Sequence, residues 1–205
     1  MMTRLAEIHG SAVPLPIENL DTDQIMPKQF LRIIDKAGLK DGLLYDLRFD
    51  AQGEPRASCV LNRPEYRHAR ILIGGSNFGC GSSREHAVWG LQQAGFEAVI
   101  APSFAEIFYS NAMNNRLLLV QLERDAIDLL LHDAATQPAA ALHIDIARQT
   151  VTSAAGRVFA FPLGARHKRM VMEGMDTIDL TLASLHDIEA FERDHFARHS
   201  WAAVL

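Results

Sequence analysis

Cysteine is scarce in this chain of 205 residues, which contains only Cys59 and Cys80. Two distant cysteines exclude a disulfide framework and a CxxC metal or redox motif, and they favour a reducing compartment. There is no run of Lys or Arg, and the net charge of −5 argues against a nucleic-acid surface. Neither a membrane-length apolar run nor a signal-like N-terminus is visible. We therefore expect a cytoplasmic protein that binds neither nucleic acid nor membrane.

The composition is that of a globular protein, with 48% hydrophobic and 22% charged residues and no internal repeat. We predict a single domain spanning residues 1–205. Glycines, prolines and charges crowd the region around 31–64, which we expect to be a mobile loop with a short helix. A helical pattern from Ile188 through Trp201 predicts a helical tail at the C-terminus.

Short apolar runs alternate with helical patterns in the middle of the chain. The predicted buried strands are Ile71–Ile73, Ala98–Ile100 and Leu117–Val120. Residues 83–94 predict one helix, and Ser103 with Glu106 has the spacing of a capping box that starts another. Residues 142–146 and 158–161 alternate and predict an antiparallel hairpin. The fold class is therefore α/β, with a mostly parallel sheet, helices packed on it and an added β layer.

The most informative stretch runs from Gly74 to His86 at a predicted strand-to-helix junction. It contains four glycines and three serines. Such a turn directs backbone N–H groups and the positive end of a helix at one point. Ser82 and Arg84 together predict a site for an anionic substrate. The pattern is not a P-loop, because no Gly-Lys-Ser/Thr follows, and it is not a dinucleotide fingerprint.

Each of these residues also has a purely structural interpretation. Ser82 and Glu85 have capping-box spacing, which needs no catalysis. Cys80 is better explained as a small residue in a tight turn than as a nucleophile or ligand. His86 is better explained as a partly buried histidine than as a base. Acids two residues apart, such as Asp21 and Asp23, usually bond local N–H groups.

The histidines offer no further candidate for a metal site. Nine are scattered along the chain. We expect none of them to form an H-x-x-x-H pair on a helix, which is the spacing that would suit a metal ion. Together with the two distant cysteines, this predicts that the chain has no metal ligands of its own.

Four stretches together resemble a known family. They are residues 77–87, 19–31, 99–108 and 175–182, beginning at Asn77, Asn19, Val99 and Met175. The chain resembles the swivelling domain of the aconitase superfamily and, more closely, the bacterial small subunits of 3-isopropylmalate dehydratase. The resemblance covers nearly the whole chain and implies the swivelling β/β/α fold of that superfamily.

The resemblance also implies an activity and a set of roles. It implies a hydro-lyase of leucine biosynthesis that isomerises 2-isopropylmalate by dehydration and rehydration. Ser82 matches the catalytic serine, which takes a proton from carbon as an alkoxide. Arg84, with backbone N–H groups near Ser83, matches the group that stabilises the alkoxide, and we expect Gly81 to be a supporting residue of the site. Asp23 matches an acid that pairs with a histidine of the large subunit.

The cofactor and the partner follow from the same resemblance. It places a [4Fe–4S] cluster on the large subunit and none on this chain, and the substrate is a small dicarboxylate. Two alternatives remain. The first is a related subunit acting on homoaconitate, citraconate or dimethylmalate, since a substrate difference of one group depends on few contacts. The second is a non-catalytic regulatory module of the same fold.

Overall fold

The computed structural model describes residues 5–31 and 38–203. Seven strands form one sheet in the order β4-β3-β2-β1-β5-β6-β7. The strands are β1 (Glu7–Leu15), β2 (Ile71–Gly74), β3 (Ala98–Ala101), β4 (Leu118–Gln121), β5 (Ala141–Asp145), β6 (Thr150–Thr152) and β7 (Val158–Ala160). The first four are parallel to one another, and the last three continue the sheet with antiparallel pairs.

Nine helices belong to the part of the chain that the structure describes. They are α1 (Thr22–Ile25), α2 (Leu39–Gly42), α3 (Tyr45–Arg48), α4 (Glu85–Gln93), α5 (Glu106–Asn114), α6 (Arg124–Thr136), α7 (Ala165–Glu173), α8 (Thr177–Leu182) and α9 (Leu185–Arg198). Short 3-10 turns occupy Lys28–Phe30, Val60–Asn62, Pro64–Tyr66 and Ser200–Ala202. Within the described ranges, no helix combines the length and the apolar character needed to cross a bilayer.

Strand β1 joins the two halves of the sheet. Its first half pairs with β5, from Glu7 to Ser11, and its second half pairs with β2, from Ala12 to Leu15. The antiparallel strands predicted as an added β layer therefore attach to the parallel half through a single strand. All residues of β2 and β3 are buried, as expected for parallel strands that are covered on both faces.

The three parallel strands predicted in the middle of the chain are confirmed within one residue at each end. The predicted hairpin is wrong, because β6 lies between its two strands and pairs with both. Gly156, with φ +77°, belongs to the turn between β6 and β7. Strand β6 is only three residues long, so its alternation is too short to be recognised in the sequence.

The predicted start of α4 is also wrong, since the helix begins at Glu85 rather than at residue 83. The end of the helix is confirmed: Gly95 follows it with φ +98°, the left-handed conformation that favours glycine. The predicted C-terminal helix is α9. Helices α7 and α8 were not predicted.

The predicted mobile loop falls partly outside the described residues, since 32–37 are not among them. Its described part contains α2, α3 and two 3-10 turns, more regular structure than one short helix. Helix α2 packs against α4, and Leu39, Leu43 and Leu44 are buried in the core. The mobility of the segment stays a prediction.

Candidate active site

The glycine-rich turn follows β2 at the edge where the parallel strands have their carboxyl ends. Ligand sites of open α/β sheets commonly form at this edge. The turn lies between the loops that follow β1 and β3. Isolated bridges link Asp21 to Cys80 on one side and Phe78 to Phe104 on the other. Three loops that are distant in sequence therefore meet at one place.

Backbone hydrogen bonds hold the turn to both neighbouring loops. Gly79 N–H donates to the carbonyl of Leu20 at 2.8 Å, and Phe78 N–H donates to the carbonyl of Ser103 at 3.0 Å. The Ser103 hydroxyl accepts from Asn77 N–H at 2.8 Å. The predicted capping box at Ser103 is therefore wrong. Helix α5 has Ala105 as its N-cap, and the Ser103 side chain supports the turn instead.

Two glycines of the turn are required by its geometry. Gly79 has φ +77° and Gly81 has φ +92°, in the region that disfavours residues with a Cβ. A Cβ on Gly79 would lie 2.2 Å from Cγ of Phe108, a buried ring of α5. The turn therefore packs its backbone directly onto that ring.

Replacement of Gly79 by alanine is expected to destabilise the protein by about 2–4 kcal/mol, because overpacking adds to the strain of a positive φ. Chemical denaturation of the purified chain would measure the change. Gly164→Ala is the matched control, since its Cβ would meet no atom within 4 Å and it should cost no more than about 1 kcal/mol. Equal stability of the two variants would contradict this account of the turn.

Ser82 lies at the exposed end of the turn, between Gly81 and Ser83, which are also exposed. It does not cap α4. The N-cap is Arg84, whose side chain makes no capping hydrogen bond, so the capping-box interpretation of Ser82 and Glu85 is wrong. The backbone N–H groups in the first turn of α4 therefore receive no side-chain cap from Arg84, and Ser82 lies three residues before the helix begins.

Arg84 and Asp23 form an ion pair across the two loops. The Arg84 side chain is only 17% exposed, whereas that of Asp23 is 44% exposed. The predicted local role holds for Asp21, which caps α1 by accepting from Gln24 N–H at 2.7 Å. It does not hold for Asp23, whose carboxylate binds the guanidinium 61 positions further along the chain. The backbone of Ser82 is hydrogen-bonded to Thr22, the neighbour of Asp23, so the structure brings Ser82, Arg84 and Asp23 into one region.

A second ionic contact supports the turn from its other end. Arg124, at the start of α6, pairs with Glu18. The Glu18 carboxylate also accepts from Ser76 N–H at 2.7 Å. The hydrogen bond from Arg124 holds the pKa of Glu18 below its ordinary value. Sequence reasoning missed both residues, because no local pattern links position 124 to position 18.

The structural interpretations of Cys80 and His86 agree with their contacts. The Cys80 thiol donates to the carbonyl of Asn19 at 3.2 Å, which joins the turn to the loop after β1. His86 is half-buried and its ring lies 4.8 Å from that of Trp89. These contacts tie both side chains to the surrounding structure.

The prediction about histidine spacing is wrong. His195 and His199 are four residues apart at the end of α9, with ring centroids 4.9 Å apart. Across residues 5–31 and 38–203, however, no three His, Cys, Asp or Glu side chains are grouped so that they could hold a metal ion.

Comparisons with known proteins place this geometry in a family. Residues 2–125 match the Aconitase C-terminal domain, and residues 128–165 match the LeuD_N family. The first match contains all three loops of the site. The solved structure of 3-isopropylmalate dehydratase from Methanocaldococcus jannaschii is similar to this chain, with a TM-score of 0.63 and 26% identity. The similarity covers 90% of this chain and 99% of that one.

Curated relatives agree over nearly their full length. The 3-isopropylmalate dehydratase small subunit 1 of Chromobacterium violaceum is 57% identical, over 98% of this chain and 94% of the relative. The small subunit of Phenylobacterium zucineum is 46% identical, over 98% of each. The chain therefore belongs to the family of 3-isopropylmalate dehydratase small subunits, within the aconitase superfamily.

Proposed function

We propose that this chain is the small subunit of a 3-isopropylmalate dehydratase, a hydro-lyase of leucine biosynthesis. The enzyme would interconvert 2-isopropylmalate and 3-isopropylmalate through an unsaturated diacid. The observation that carries the proposal is the Arg84–Asp23 ion pair beside the turn of Ser82, at the carboxyl edge of the parallel strands. The names of the relatives at 57% and 46% identity favour this substrate over other malate homologues.

Ser82 is proposed as the base of the reaction. As an alkoxide it takes a proton from carbon, the electrons of that C–H bond form the alkene, and a hydroxyl leaves the adjacent carbon. A serine hydroxyl is a weak base, so the alkoxide needs electrostatic stabilisation. The exposure of Ser82 leaves room for a substrate to approach.

Arg84 is proposed to supply that stabilisation, together with backbone N–H groups at Ser83 and in the first turn of α4. Its guanidinium is largely withdrawn from water, and electrostatic interactions are stronger where the surroundings are less polar. Gly81 allows the backbone to approach the substrate closely. The same cationic region would attract a dicarboxylate.

Asp23 is proposed to orient Arg84 and to meet a histidine of the large subunit. A carboxylate has two oxygens and can accept from more than one donor. One of them faces the guanidinium of Arg84. Because the side chain is nearly half exposed, a partner could approach it without displacing the pair.

The residues of this chain do not fit an iron–sulfur cluster. Such a cluster is held by cysteine thiolates, commonly four, and only Cys59 and Cys80 are present. The Cys80 thiol is engaged with the carbonyl of Asn19. We therefore propose that the [4Fe–4S] cluster resides on a large subunit, and that this chain acts in a heteromer with it. Departure of the substrate hydroxyl is assigned to groups of that partner.

The test is reconstitution. The purified chain alone is expected to bind no iron and to show no dehydratase activity, because half of the site is missing. Anaerobic mixing with a cluster-bearing large subunit should produce turnover, measured as the absorbance of the unsaturated diacid. The large subunit alone is the control.

A panel of diacids separates the alternatives for the substrate. 2-Isopropylmalate should be converted with a higher kcat/KM than homoaconitate, citraconate or dimethylmalate. Turnover by the isolated chain, or a mixture that prefers another diacid, would contradict the proposal. A mixture that binds but converts none of the diacids would favour a regulatory module instead.

A further inference from the structure

Thr22, the first residue of α1, is buried beside the candidate base. Its residue exposure is 1%, and Thr22 and Ser153 are the buried polar residues of the described core. A buried hydroxyl needs hydrogen-bond partners. Both partners of the Thr22 hydroxyl lie in the backbone of Ser82, 60 residues further along the chain.

The Thr22 hydroxyl bonds to Ser82 in two directions. It donates to the carbonyl of Ser82 at 2.9 Å and accepts from Ser82 N–H at 3.1 Å. In addition, Thr22 N–H donates to the carbonyl of Cys80 at 2.8 Å. One residue therefore holds the chain on both sides of Gly81.

External support matters at this point because of Gly81. Its φ is +92°, and glycine adopts positive and negative φ values about equally readily, so its own backbone does not fix this conformation. The Ser82 side chain is exposed, so the surrounding core does not fix its position by packing. The orientation of its hydroxyl therefore depends on the backbone that carries it, and that backbone is bonded to Thr22.

We propose that Thr22 is a positioning residue for the reaction. Its hydroxyl orients the Ser82 backbone so that the Ser82 hydroxyl lies within reach of the substrate carbon and of the stabilising cation. Thr22 itself touches neither substrate nor reacting atoms. The inference rests on the proposed function, because it takes Ser82 as the base.

Two substitutions separate the hydroxyl from the shape of the side chain. Thr22→Val keeps the branched shape and removes the hydroxyl, whereas Thr22→Ser keeps the hydroxyl. In the reconstituted enzyme, Thr22→Val should lower kcat by about 10- to 100-fold, the effect expected from misplacing a reacting group by about 1 Å. KM should change by less than about threefold, since substrate binding does not pass through Thr22. Thr22→Ser should keep kcat within about threefold of wild type.

Thr136→Val is the matched control. Its hydroxyl donates to a carbonyl at 2.8 Å at the end of α6, away from the turn, and the variant should leave kcat unchanged. Thermal unfolding of every variant is measured in parallel. If Thr22→Val does not fold, Thr22→Ser still tests the positioning role. A folded serine variant with a kcat lowered tenfold or more would overturn the proposal.

A double-mutant cycle tests whether Thr22 acts through Ser82. In a Ser82→Ala background, Thr22→Val should lower the residual turnover no further, because the positioned hydroxyl is already gone. An independent loss in that background would overturn the positioning role. Full activity of Thr22→Val beside an inactive Ser82→Ala would reject only this inference. Full activity of Ser82→Ala would instead reject the proposed function.

Discussion

Replacement of Ser82 by alanine is expected to lower the turnover of the reconstituted enzyme to a small residual rate while leaving its fold intact. A positioned proton-transfer group typically contributes about 10²–10⁴-fold to the rate, so kcat should fall by at least about 10²-fold. The hydrogen bonds that hold Ser82 run through its backbone, and alanine retains them. Because α4 is not capped by Ser82, the free energy of unfolding should change by less than about 0.5 kcal/mol.

Steady-state turnover and thermal unfolding of the variant are measured with the same large-subunit preparation. Ser184→Ala is the control, because Ser184 is exposed and precedes α9 without a side-chain capping bond. Binding to the large subunit is checked by gel filtration, so that loss of turnover is not mistaken for loss of assembly. Turnover within tenfold of wild type would reject Ser82 as the base.

Replacement of Arg84 by lysine is expected to lower kcat on the order of 10²-fold, the usual effect of removing one preorganised donor to a developing oxyanion. Lysine keeps the positive charge but lacks the planar fork that can serve Asp23 and the alkoxide together. Because the Asp23 side chain is nearly half exposed and lysine keeps the positive charge, the free energy of unfolding should fall by about 1 kcal/mol or less.

Arg148→Lys is the matched control, since the Arg148 side chain is 84% exposed and its ion pair is with Asp145 of β5. Both variants are compared for kcat, KM and thermal unfolding. Near wild-type turnover of Arg84→Lys would show that Arg84 acts as a diffuse positive charge and not as an oriented donor. A large fall in melting temperature would assign its main role to the fold.

The parallel strands and the turn after β2 were predictable from the sequence because their signals are local. A run such as Ile71–Ile73 is buried wherever it is placed, and glycines at a strand-to-helix junction need only their neighbours to be recognised. Short or marginal elements were not predictable in this way. Strand β6 spans three residues, and it is defined by its pairing with β5 on one side and β7 on the other.

The spacing of residues in a capping box, although it is also a local signal, led to wrong predictions. Ser82 with Glu85 and Ser103 with Glu106 have the same pattern, and neither serine caps a helix. In each case a hydrogen bond to another loop holds the serine, through the side chain of Ser103 and through the backbone of Ser82. The Ser103 hydroxyl accepts from Asn77, and the backbone of Ser82 is bonded to Thr22. The spacing of neighbouring residues does not reveal such a hydrogen bond, because its partner lies far along the chain.

The sequence by itself determined the α/β class, the position of the glycine-rich turn and, through its family resemblance, the residues proposed for chemistry. Only the tertiary structure decided which residues meet. Strands β1 and β2 are parallel neighbours, so the loops that follow them leave the same edge of the sheet. Thr22 and Asp23 are thereby placed against Ser82 and Arg84 across 60 or more residues. Periodicity and spacing report contacts along one segment, whereas the order of strands in a sheet sets the contacts between segments.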